Sequence, residues 1–124
     1  MAYAHTYLEG QVLGATRVEL VRMLYRSALE ATAQARRHLK NGQIRERARH
    51  ITKTWEILAE LIRTLDHMQG GELSRALGEL YVYMQNRLIE ANSAQSDEPL
   101  ADVEKILTTL AEAWNLLPDV DCTC

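Results

Sequence analysis

Phenylalanine is absent from the 124 residues, proline occurs twice and glycine six times. Turn-rich and sheet-rich architectures lean on those residues, and their scarcity beside abundant Ala, Leu, Glu and Arg predicts helices and no strands. Only two cysteines occur, Cys122 and Cys124, both within the last three residues, so no disulfide framework is available. A chain of this length buries enough core to fold without one. No apolar run approaches the ~20 residues that cross a bilayer, and no leader-like N-terminus is present, which predicts a soluble cytosolic protein without membrane insertion.

Absent chemistry narrows the function. The chain has no nucleophile elbow, no phosphate-cradling glycine loop and no Glu-x-x-His on a bundle-facing stripe. His5, His38, His50 and His67 never pair at i, i+4, and two terminal cysteines alone do not make a metal site. The expectation is therefore a non-enzyme with no cofactor, no catalytic residues and no metal. Net charge is −3, yet Arg36, Arg37, Lys40, Arg45, Arg47, Arg49 and Lys53 hold half of the 14 Lys and Arg residues. This basic region could meet phosphate, but nucleic-acid binders usually carry a net basic domain and a reading motif, so no nucleic acid is expected.

What is present is helical periodicity in a single domain. Arg17 to about Lys40 carries Leu20, Leu24, Ala28, Ala31, Ala35 and Leu39 at steps of four and three, and Asn41-Gly42 ends it. Gln43 to about Met68 repeats Ile44, Ala48, Ile51, Trp55, Leu58, Ile62 and Leu65 as a near-perfect heptad seam before Gly70-Gly71. Leu73, Leu77, Leu80, Met84, Leu88 and Ala91 share a face of the third segment, which runs to about Asn92. In the fourth, Ser96 or Asp97 can cap, Pro99 fits the first turn, and Leu100, Val103, Leu107, Leu110, Trp114 and Leu117 form the stripe up to Pro118. Short turns force antiparallel neighbours, so the fold class is all-α: an antiparallel up-down four-helix bundle over 17–117. Residues 1–16 are expected to form a short N-terminal cap or plug, and 118–124 a flexible tail.

The third segment has more apolar surface than one core needs. Tyr81 and Tyr83 are expected to flank its buried stripe, while Val82 and Ile89 fall opposite it. An exposed apolar face of this kind marks an interface, either with a partner or with a second copy of the chain.

The residues also resemble a known family. "VELVRMLYRSAL" (18–29), "ITKTWEILAELIRTLDHMQGGEL" (51–73), "LGELYVYMQNRLIEAN" (77–92) and "ADVEKILTTLAEAW" (101–114) together resemble the flagellar export chaperone FliS family over nearly the whole chain. Met23-Leu24-Tyr25, Leu65-Asp66 with Gly70-Gly71-Glu72, and Leu80-Tyr81-x-Tyr83 ending in Ala91-Asn92 carry the resemblance by combination and order. Arg26-Ser27 departs from it, standing where the family usually has an acidic-glycine pair.

The resemblance implies a chaperone that binds the disordered C-terminal segment of flagellin, prevents its premature polymerisation and helps deliver it to the cytoplasmic domain of the export gate. It implies no catalysis. On this reading Tyr7 and Leu8 are the replaceable N-terminal plug. Tyr25, Ala28, Tyr81, Tyr83, Met84 and Asn92 are expected to form the client surface, with the protein itself a monomer or weak homodimer. The competing expectations are a self-associating structural or regulatory bundle using Val82 and Ile89, and an anion binder using Arg36 to Lys53, whose affinity would fall steeply with salt.

Overall fold

The computed structural model describes residues 16–65 and 70–117. Four helices account for most of them: α1 (Arg17–Lys40), α2 (Ile44–Leu65), α3 (Glu72–Ala94) and α4 (Glu98–Asn115), with no strand among the described residues. The expected cap over 1–16 and tail over 118–124 lie almost wholly outside the described residues, as do Asp66 to Gln69.

Local chemistry explains the boundaries. Thr16 accepts a hydrogen bond from the Glu19 amide at 3.1 Å, with Glu19 three residues on, the spacing of a capping box. Asn41 and Gly42 close α1, and Gly42 takes the left-handed conformation at φ 70°. α3 ends instead on Gln95, a non-glycine residue at φ 52°. Pro99 sits in the first turn of α4, where its missing amide hydrogen costs nothing. Asp97 occupies the N-cap position, but its side chain makes no capping bond and turns to Arg36 instead.

The helices form a closed ring in which α1 borders α2 and α4, and α3 borders the same two. Pairings along the ring fix the antiparallel sense. Arg22, near the start of α1, donates to the carbonyls of Trp114 and Leu117 at the end of α4. Arg36, near the end of α1, forks onto both Asp97 oxygens at 2.8 Å and also reaches Glu104. Arg47 at the start of α2 donates to Asn92 at the end of α3, at 3.1 Å. The basic region is therefore partly spent inside the fold, since Arg36, Arg47 and Arg49 all hold protein partners.

The core lies on the axis of this ring. Leu24, Ala28 and Ala35 of α1, Ile57, Leu58 and Leu61 of α2, Met84 and Leu88 of α3, and Leu100, Val103 and Leu107 of α4 are all buried. At its centre the Tyr25 and Tyr81 hydroxyls share a hydrogen bond at 2.5 Å, bridging the diagonal between α1 and α3. A second polar contact joins the buried Thr32 and Thr54 hydroxyls at 3.2 Å.

Burial pushes both phenols above their ordinary value, Tyr25 the further of the two. Each must stay neutral in the folded chain but can ionise once unfolded. Their contribution to stability is thus complete below about pH 10, the ordinary phenol value, and is lost as pH rises beyond it. Melting temperature measured from pH 8 to pH 11.5 is expected to hold and then fall above about pH 10, and the fall should be shallower in a Tyr25→Phe/Tyr81→Phe variant.

Candidate functional site

The ring geometry decides which apolar residues are left over. The axis-facing arc of α2 centres on Thr54, Leu58 and Leu61, all buried. At 100° per residue, Ile44, Trp55 and Ile62 lie 80–100° away from Thr54, on the shoulder towards α3. Ile44 is exposed, and Trp55 and Ile62 are half-buried. The heptad seam expected to be wholly core is therefore core through Ile51 and Leu58 and shoulder through Ile44, Trp55 and Ile62. A ring of four gives each helix one axis-facing arc, and α2 is apolar over more than that arc.

α3 answers with a matching shoulder. Gly78, Val82 and Ile89 share a face turned towards α2, where a Cβ on Gly78 would lie 3.5 Å from the Leu65 side chain. Val82 is 46% and Ile89 56% exposed, as their place opposite the stripe predicts. Between the shoulders runs a groove of about 270 Å³ lined by Ile51, Thr52, Trp55, Ile89, Asn92 and Ser93. Polar groups hold its floor: the Gln85 amide donates to the Trp55 carbonyl at 3.2 Å, and Asn92 accepts from Arg47. The lining is apolar through Ile51, Trp55 and Ile89 and polar through Thr52, Asn92 and Ser93.

The expected site residues divide. Tyr83 is 45% exposed on the other side of α3, with its hydroxyl donating to Asp102 at 2.6 Å while Arg87 holds the same carboxylate at 3.0 Å. These bonds hold the Asp102 carboxyl below its ordinary range, with the Tyr83 hydroxyl the largest cause, and raise the Tyr83 phenol in turn. Asn92 is half-buried at the end of the groove. Tyr25, Ala28, Tyr81 and Met84 are interior and present no side chain to a partner in the closed bundle. Tyr81 in particular is a core residue, not a flank of the buried stripe as its position suggested. It lies on the α3 arc shared by Leu77, Met84 and Leu88, and its polar end is satisfied internally by Tyr25. Leu73, expected in the stripe, is 62% exposed in the first turn of α3. Tyr7 and Leu8 lie outside the described residues.

Two features escaped sequence reasoning. One is the groove itself, whose signal was the excess width of the apolar arc on α2. The other is a cluster of potential metal ligands, His38, Glu46 and His50, drawn together across the α1–α2 turn. A search confined to histidine pairs one turn apart passes over it.

Comparison with known proteins places the chain in one family. The sequence model of the family described as flagellar protein FliS matches residues 1–119. The flagellar secretion chaperone FliS of Salmonella typhimurium is 34% identical over 114 residues, covering 91% of this chain and 84% of that protein. The flagellar secretion chaperone FliSB of Pseudomonas aeruginosa is 35% identical over 113 residues, 91% and 90% of the two chains. The FliS chaperone of Bacillus subtilis is 33% identical over 108 residues, 87% and 80% of the two.

Proposed function

This chain belongs to the FliS family of flagellar proteins, and from that membership we propose that it is a cytosolic flagellar secretion chaperone whose client is the disordered C-terminal segment of flagellin. Binding sequesters that segment by mass action, prevents polymerisation before export, and brings the client to the type III export apparatus. No catalysis is involved. The observation that carries this reading is the apolar groove between α2 and α3, with Trp55 on one lip and Ile89 on the other.

A disordered client suits such a surface. It can lay an amphipathic turn or an extended stretch along the groove, anchoring apolar side chains against the exposed shoulders. It also loses chain entropy on ordering, so a large contact area yields moderate affinity. Tyr83 extends the same helix to its other flank, where a ring with a polar tip can be wet when free and covered when bound.

Titration calorimetry with the C-terminal segment of the cognate flagellin tests the proposal. Saturable binding near one to one, with a negative heat-capacity change and weak dependence on salt, is the expected result. Concentration-dependent dimerisation with no heat of client binding would overturn it in favour of a self-associating bundle. Affinity that collapses as salt is raised would place the contact on the basic region instead. In the same assay Tyr83→Ala is expected to lower affinity by roughly 3–30-fold while keeping a cooperative melt. A large loss of stability at unchanged affinity would assign Tyr83 to the bundle alone.

A further inference from the structure

At the end of the bundle formed by the α1–α2 turn, three ligand-bearing side chains converge. His38 stands in the last turn of α1, Glu46 in the first turn of α2, and His50 one turn beyond it. The two imidazoles stack with centroids 5.1 Å apart and planes inclined by 22°, and one donor atom from each of the three residues lies within 4.8 Å of the others. All three are half-buried.

The hydrogen bonds around this cluster fix its chemistry. His38 Nδ1 meets the Gln43 side-chain oxygen at 2.5 Å, and His50 Nδ1 meets the Glu46 carbonyl at 2.9 Å. Both partners are oxygens that accept, so each Nδ1 donates its hydrogen there and Nε2 is the ring nitrogen left to ligate. An oxygen partner on one ring nitrogen is the arrangement that orients metal-bound histidines and raises their basicity. The Arg49 guanidinium pairs with Glu46 Oε1 on the same helix. Glu46 keeps a second carboxylate oxygen, Oε2, besides the one paired with Arg49.

We propose that His38, Glu46 and His50 form a binding site for one divalent transition-metal ion of the zinc class, with solvent completing the coordination. Two imidazoles and a carboxylate match the preference of Zn²⁺ and its neighbours and disfavour Mg²⁺, which takes oxygen ligands. Tetrahedral zinc places nitrogen donors about 3.3 Å apart, so the cluster closes by modest side-chain rotation at a half-buried surface. Bound metal would staple the end of α1 to the start of α2 across Asn41, Gly42 and Gln43.

The test uses the full chain with Cys122→Ser and Cys124→Ser, which removes the thiol ligands of the tail. Zinc titration is expected to give one site per chain, and Co²⁺ a visible absorption band of the four-coordinate type. A 100-fold excess of Zn²⁺ over Kd should raise the melting temperature by roughly 5–15 °C, and Mg²⁺ should not. His38→Ala and His50→Ala should each weaken zinc binding by about 100-fold or more. Gln43→Ala, which frees the His38 ring without touching the ion, should weaken it by about 10-fold. Melts in EDTA show whether each variant still folds. Zinc affinity unchanged by both histidine replacements in folded variants, or no zinc uptake up to about 100 μM, would overturn the assignment.

Discussion

Replacing Tyr81 with alanine is expected to lower the melting temperature by roughly 10–20 °C. The residue is fully buried, and truncating a core aromatic costs about 3–5 kcal/mol through lost burial and the cavity left behind. A further cost is chemical. Tyr81 is the hydrogen-bonding partner of the buried Tyr25 hydroxyl, and although the Trp114 indole N–H can donate to Tyr25, it offers no acceptor for the Tyr25 proton. A double-mutant cycle separates the two costs. Tyr81→Phe keeps the ring but orphans Tyr25, an expected loss of about 1–3 kcal/mol. Tyr25→Phe/Tyr81→Phe removes both hydroxyls together and should recover much of that loss. A double variant no more stable than the sum of the single losses would show that the pair is not coupled.

Ile89→Asp should have the converse signature. The side chain is 56% exposed, so the melting temperature should move by no more than a few degrees. Client affinity should nevertheless fall by roughly 30-fold or more, because a carboxylate on the groove lip opposite Trp55 must be desolvated against an apolar ligand. The contrast with Tyr81→Ala is the useful part: one variant loses the bundle and the other loses only its surface. Unchanged affinity in a folded Ile89→Asp protein would move the client away from the α2–α3 groove.

The number, order and approximate limits of the helices were legible because each rests on a local signal. Asn41-Gly42 set one stop, Gly70-Gly71 a break, and Pro99 a start, while the Thr16 cap of α1 came only with the structure. Which part of each apolar arc faces inward was less legible. Periodicity reports that Ile44, Ile51, Trp55, Leu58 and Ile62 lie on one side of α2, but only the placement of α3 decides that Trp55 and Ile62 end half-buried on a shoulder. Tyr81 was misplaced for the same reason, since its angle from Met84 fits either a flank or the wide core of a four-membered ring. His38 and Glu46 belong to different helices, and no pattern along one helix can report that a turn folds them together.

The ring order has a consequence for how the chain is made. α1 is flanked by the helix that follows it and by the last helix, and its two arginine clamps, Arg22 and Arg36, both reach residues of α4 or its cap. Those bonds join positions separated by 61 to 95 residues. A ribosome delivers the N-terminal helices first. The α1–α2 hairpin can therefore form early, but α4 cannot cover its flank of α1 until α4 itself has been made. Closure of the ring waits for the last of its four helices.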